Sequence, residues 1–191
     1  SELRERYDGY HFTHNSIGIY NPFSLLNAFK YKEFGSYWFE TGTPTYLVEL
    51  LKKHHYDLER MAHEETDAQV LNSIDSESTN PIPVIYQSGY LTIKGYDEEF
   101  GIYRLGFPNR EVEEGFIRFL LPYYASVNKV ESPFEIQKFV REIRSGDYDS
   151  FFRRLQSFFA DTTYEVIRDQ ELHYENVLFI VFKLLGFYTQ V

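Results

Sequence analysis

The stretch Tyr90-Leu91-Thr92-Ile93-Lys94-Gly95-Tyr96-Asp97-Glu98-Glu99-Phe100-Gly101-Ile102-Tyr103-Arg104-Leu105 sets two β-prone runs on either side of a polar centre. Its spacing predicts a β-hairpin with strands over 90–94 and 100–105 and a turn over Gly95 to Glu99. Just upstream, Asn80-Pro81 is the signature of an N-cap followed by proline at the first helical position, and Gly89 suits the residue that ends a short helix with positive φ. Thr43-Pro44 repeats the cap device, with Tyr46, Leu47, Leu50 and Leu51 as one apolar stripe closed by Lys52, Lys53, His54 and His55, which suit a negative helix terminus. Between them Asp57 to Glu77 is polar, and its apolar pieces at Leu58 to Met61 and Val70 to Ile74 read as two short elements joined by acidic turns. Short capped helices followed by a hairpin make residues 43–107 a winged-helix-like module.

Outward from this module helices predominate, and after residue 132 the chain is expected to be helical throughout. Ser1 to Tyr20 reads mainly as loop with a helical start, and Asn21-Pro22 opens a helix over 22–31. Pro108-Asn109 ends the second strand, and Val112, Phe116, Phe119 and Leu120 mark a helix from 110 to 121. Residues 125–132 form a small polar linker, after which Ser132-Pro133-Phe134-Glu135 has capping-box order for a helix that carries Ile136, Phe139, Val140 and Ile143 and ends at Gly146. Asp147 or Asp149 caps the next helix, with Phe151, Phe152, Leu155, Phe158 and Phe159 as a broad aromatic face. The last helix runs from about Asp169 to Leu185 with Tyr174, Val177, Leu178, Val181, Phe182 and Leu185 inward and Gly186 as terminator. The expected fold is mainly α with a small β-hairpin, in two parts: 1–124, helical and winged-helix-like, and 125–191, a helical segment.

With 19 basic and 29 acidic side chains among 191 residues the net charge is −10, which repels phosphate and anionic lipid. The 18 Phe and 17 Tyr require a packed core, and the absence of cysteine excludes disulfides, thiolate metal sites and a cysteine nucleophile. No run of 18 apolar residues occurs and the N-terminal stretch is charged, so the expectation is a cytoplasmic protein that makes no membrane contact.

Several reaction centres lack their signatures. A P-loop needs a Gly-Lys pair followed by Ser or Thr, and the chain has no Gly-Lys. A metal-dependent nuclease needs an acid-x-Lys triplet, and neither Glu-x-Lys nor Asp-x-Lys occurs. Gly-x-Ser-x-Gly and His-Glu-x-x-His are also missing. His11 and His14 beside Asp8 could begin a metal site, but no third ligand stands at a recognisable spacing, and a loop hydrogen-bonded through its imidazoles explains them as well. Lys138, Arg141, Arg144, Arg153 and Arg154 could contact phosphate. The interspersed Glu135, Glu142, Asp147 and Asp149 favour a salt-bridged, solvated face instead. Tyr7-Asp8-Gly9-Tyr10 reads as an Asp-Gly turn between packing aromatics, with a ligand-stacking loop as the alternative. No catalytic, cofactor or metal residue is assigned.

Five blocks share an order and spacing: Tyr7-Asp8-Gly9-Tyr10-His11-Phe12, Ile19-Tyr20-Asn21-Pro22-Phe23-Ser24-Leu25-Leu26, Tyr37-Trp38-Phe39-Glu40-Thr41-Gly42-Thr43-Pro44, Gln87-Ser88-Gly89-Tyr90-Leu91-Thr92-Ile93-Lys94 and Leu105-Gly106-Phe107-Pro108-Asn109-Arg110-Glu111-Val112. Over 1–124 the chain resembles the bacterial AAA-ATPase-like family. Members of that family are similar in plan: a P-loop ATPase core, a helical and winged-helix-like part such as this one, and a PD-(D/E)xK nuclease-like domain. Residues 169–191, with Glu171, Tyr174, Asn176 and Phe182-Lys183-Leu184-Leu185-Gly186-Phe187-Tyr188, look like the first core helix of that last domain.

The resemblance implies that Glu171 could assist a metal site, with Glu175 one turn away and an exposed helical glutamate as the plain alternative. It also implies that the P-loop would precede Ser1 and the nuclease acids would follow Val191, so the chain is expected to be part of a longer protein. ATP and Mg²⁺ would belong to that protein and no cofactor to this stretch. Its partners would be the upstream ATPase core and the downstream nuclease-like domain. Two alternatives are a nucleic-acid-binding winged-helix-like module, weakened by Asp97-Glu98-Glu99 at the hairpin tip, and a protein docking module. Self-association is expected through an exposed apolar face of the last helix.

Overall fold

Asn21 starts its helix as the spacing requires, its side-chain oxygen accepting from the backbone N–H groups of Phe23 and Ser24 at 3.0 and 3.2 Å. In the computed structural model, which describes residues 1–41, 45–73, 80–125, 127–160 and 167–189, the chain forms two compact units, Ser1–Gly115 and Phe116–Val191. The division falls inside a helix, ahead of the polar linker at 125–132. The structure is mainly helical with one small antiparallel sheet. Among the described residues no helix is long and apolar enough to cross a membrane.

The first unit begins with α1 (Glu2–Tyr7) and α2 (Pro22–Tyr31). Tyr7 is fully buried, and its hydroxyl donates to the Gly35 carbonyl and accepts from the Gly35 N–H, both at 3.0 Å. A 3₁₀ turn over Trp38–Thr41 follows. Then comes α3 (Thr45–Lys53), whose inward face is Leu47, Val48, Leu50 and Leu51. Tyr46 is exposed, correcting its place in the expected stripe: it lies one residue outside the 3.6-residue arc that Leu47, Val48 and Leu51 fill. The Thr43-Pro44 cap lies outside the described residues, as do residues 74–79. His55, with φ of 47°, turns the chain out of α3.

The polar region expected to hold two short elements contains a 3₁₀ turn (Leu58–Ala62), the strand β1 (Glu64–Asp67) and α4 (Ala68–Leu71). Strand β1 has no apolar residue and escapes any hydrophobic pattern. Its inward Glu64 is buried because the Tyr56 hydroxyl donates to it at 2.6 Å and Arg60 at 3.2 Å. After α5 (Ile82–Gln87) come β2 (Thr92–Asp97) and β3 (Ile102–Gly106), with sheet order β1-β3-β2. Helix, strand, two helices and two strands, with the first strand paired to the last, complete the winged-helix-like arrangement.

The hairpin forms, but its turn sits at 98–101 instead of beginning at Gly95. Asp97 supplies the turn by accepting from the N–H groups of Glu99 and Phe100, and Gly101 takes φ of 67°. Gly95 belongs to β2 at a bulge, where a Cβ would lie 2.7 Å from the Arg104 guanidinium. Asn80 makes the expected capping bond, its side chain accepting from Ile82 N–H at 3.0 Å, and α5 begins directly after Pro81.

In the second unit, α6 (Arg110–Tyr124) contributes Phe116, Ile117, Leu120 and Leu121. The helices α7 (Ser132–Ser145), α8 (Tyr148–Ser157) and α9 (Ile167–Thr189) follow. Phe139 is the core's centre, its ring meeting Phe151 and Phe158 edge-on at 5.2 and 5.1 Å. Four expectations are corrected. Ser132 is inside α7 and makes no capping bond, since Glu131 takes the cap position and Glu135 is drawn to Lys138 and Arg154. Phe152 and Phe182 are exposed, because the buried arcs of α8 and α9 are narrower than the apolar runs. Gly186 does not end α9: the helix continues to Thr189, whose hydroxyl donates to the Leu185 carbonyl, and Arg144 donates to the Tyr188 carbonyl.

Candidate functional site

The five sequence blocks meet in the first unit. Gly9, with φ of 118°, runs so close to Pro108 that a Cβ would lie 2.2 Å from the Pro108 carbonyl oxygen. That same oxygen accepts from the Lys94 ammonium at 3.0 Å. The Thr92 hydroxyl clamps His11 from both sides, accepting from its N–H at 2.8 Å and donating to its carbonyl at 3.0 Å. Tyr10 and Ile19 exchange backbone bonds, returning the chain to Asn21.

Glu111 fastens the remaining pieces. Only 3% exposed at the start of α6, it accepts from the Ser24 hydroxyl and from the Trp38 N–H, both at 3.0 Å. Burial raises its pKa above the usual carboxylate range, against the lowering effect of Ser24 and of the Trp38 and Tyr37 N–H groups. Asn109 caps the same helix by accepting from Val112 N–H at 3.1 Å. Trp38 sits edge-on to Tyr90 and Phe39 at 4.7 and 5.1 Å. Nothing in the sequence marked Glu111 or Ser24 as partners, because they are 87 residues apart; a glutamate just after an Asn cap was the local signal available.

Beside this junction lies an open groove of about 600 Å³. Aromatic rings of Tyr10, Phe12, Tyr20, Trp38 and Tyr86 wall it, with the Gly89 backbone and Thr92 between them. Burial pushes the Tyr10 hydroxyl well above its ordinary pKa, with the neighbouring Asn21 side chain acting in the opposite direction. Of the Tyr7 to Tyr10 segment only Tyr10 lines the groove, Tyr7 lies in the core, and Asp8 is extended instead of forming the expected Asp-Gly turn.

The other sequence candidates are placed apart from one another. His11 lines the groove, whereas the exposed His14 ring packs on Tyr96 at 4.6 Å, and Asp8 accepts from Gly9 N–H and Arg4. No group of three or more metal-ligating side chains occurs among the described residues. Glu171 and Glu175 are exposed on α9. Glu98 and Glu99 are exposed at the hairpin tip.

Of the basic residues in α7 and α8, Arg154 lies in a paired network. It reaches Glu135 at 2.6 Å and Glu142 at 2.5 Å, with Lys138 also on Glu135 at 2.6 Å. Burial would raise the Glu135 pKa, but its hydrogen bonds to Lys138 and Arg154 outweigh that and lower it. A depressed folded pKa stabilises above the unfolded value of ~4.3, and that contribution disappears as pH falls through the folded value. Arg154→Met is expected to cost the second unit about 1–2 kcal/mol at neutral pH and to flatten its acid-side stability profile, measured by urea unfolding at several pH values.

Against known proteins, no family model matches the chain, and no solved structure matches it. It is similar to a curated protein of Azotobacter chroococcum mcd 1 named "Uncharacterized protein in vnfD 5'region". The two are 30% identical over 197 residues, covering 97% of this chain. The chain spans only 37% of that relative's length.

Proposed function

We propose that this chain is a non-catalytic connector in a longer protein, joining a P-loop ATPase core upstream to a PD-(D/E)xK nuclease-like domain downstream. One observation carries the reading: seven polar side chains from four of the five blocks are engaged with the protein itself. Asp8, Asn21, Ser24, Thr92, Lys94, Asn109 and Glu111 each hold a backbone or side-chain partner. A site for triphosphate or Mg²⁺ would need such groups converging on open space. With these groups committed to the fold, the reading assigns ATP and Mg²⁺ to the flanking regions. That most of the Azotobacter relative lies beyond the match leaves length for them. A cytoplasmic setting goes with this reading and with the cysteine-free chain.

Titration calorimetry of the 191-residue chain with ATP and Mg²⁺ tests it. The expected result is no binding tighter than ~1 mM, and micromolar binding of either would contradict the proposal.

The winged-helix-like arrangement favours nucleic-acid binding as a second reading. Its chemistry argues the other way, since α5 carries no cation and the hairpin tip is acidic. Duplex DNA at low salt is expected to stay unbound, and an affinity that falls steeply with added salt would favour this second reading instead.

A further inference from the structure

The helix α2 is inverted. It buries Ser24 and Ala28 and turns Phe23, Leu26 and Phe29 to water, with Leu26 and Phe29 68% and 63% exposed. Preceding it, Phe12, Ile17 and Ile19 are exposed as well, Phe12 and Ile17 to 70% and 84%. Phe12, Ile19 and Pro22 also border the groove, which brings the loop and the first residue of α2 to the same rim. These six side chains leave on the order of 700 Å² of apolar surface in water, taking ~200 Å² for an aromatic side chain and slightly less for Leu and Ile. Largest patches on monomers are typically ~300–600 Å², and one side of a standard interface is ~800 Å².

We propose that this surface is a homodimer interface in which α2 packs antiparallel on α2 of a second copy, with Leu26 at the two-fold axis. The spacing makes the face self-complementary. Phe23 and Phe29 stand three residues to either side of Leu26, so a two-fold axis there sets Phe23 of each copy against Phe29 of the other. Within α2 only Lys30 is charged. Across the axis the two Lys30 positions separate by about 12 Å along the helices, beyond the ~8 Å screening length at physiological salt. Within α2 itself, then, none of the acidic residues behind the net charge of −10 is present.

The absence of natural cysteine allows a clean test on the 191-residue chain. Light scattering is expected to show twice the 22.8 kDa chain mass, and Leu26→Glu should halve the observed mass without altering the circular dichroism, because residue 26 is exposed in one chain. Under mild oxidation Leu26→Cys should form a disulfide-linked dimer, while Val130→Cys, an exposed control in the second unit, should not. A monomer at all concentrations, a dimer that survives Leu26→Glu, or a dimer that Leu26→Cys fails to link would each overturn the proposal. ATP and Mg²⁺ play no part in this test, so it stands or falls independently of the connector reading.

Discussion

Glu111→Ala is expected to destabilise the Ser1–Gly115 unit by about 3–4 kcal/mol, a fall in melting temperature of roughly 15 °C. The substitution removes the acceptor shared by Ser24 Oγ and Trp38 N–H while leaving both groups in place, one in a fully buried residue and one half-buried. A buried donor without an acceptor costs ~1–3 kcal/mol, and here more than one is stranded. Glu111→Gln keeps an acceptor oxygen and sheds the burial cost of the charge, so about 1 kcal/mol is expected there. The two variants separate hydrogen bonding from charge.

The pH profile separates them further. Because the folded state holds the Glu111 proton more tightly than the unfolded chain, wild-type stability should fall as pH rises from ~4.3 through the raised folded value. Glu111→Gln should lack that slope. Its sign is opposite to that of the Glu135 contribution in the second unit, where the folded pKa is depressed.

Gly9→Ala is expected to cost about 3 kcal/mol or more, measured by urea unfolding. With φ of 118° the position lies outside even the left-handed region open to L-residues, and the added Cβ would meet the Pro108 carbonyl oxygen at 2.2 Å. Relief would require moving backbone that also anchors Lys94. Gly101→Ala is the internal control, with φ of 67° and only the Tyr96 hydroxyl near its Cβ, at 3.8 Å. It should cost about 1 kcal/mol, the backbone preference alone. Equal losses at the two sites would mean that the Gly9–Pro108 approach contributes nothing.

What was legible in the sequence is what short-range chemistry determines. Asn21, Asp147 and Gly146 perform the capping roles expected of them, because a cap depends on two or three neighbouring residues. The hairpin was legible too, although Asp97 moved its turn by taking two backbone N–H groups that no alternation pattern reveals. Strand β1 was illegible because Glu64-Glu65-Thr66-Asp67 pairs by virtue of β3 and of a buried carboxylate satisfied by Tyr56. Ser132 and Glu135 show the reverse error: a local capping pattern overridden by Arg154, 19 residues from Glu135.

The site follows the same division. Each of the five blocks could be quoted from the sequence, but their convergence rests on contacts between residues as far apart as Trp38 and Glu111, Thr92 and His11, Ser24 and Glu111, and Gly9 and Pro108. The outward face of α2 was likewise hidden, since a helical period shows which residues share a side and not which side meets the core.

Glu111 ties Ser24 and Trp38 to the start of α6, which makes the five blocks one interlocked body. Native-state hydrogen exchange of the Ser24, Trp38 and Val112 amides tests it most directly. The three are expected to open with free energies within about 0.5 kcal/mol of one another and to lose protection together in Glu111→Gln. Rapid independent exchange at Trp38, with Ser24 and Val112 still protected, would contradict it.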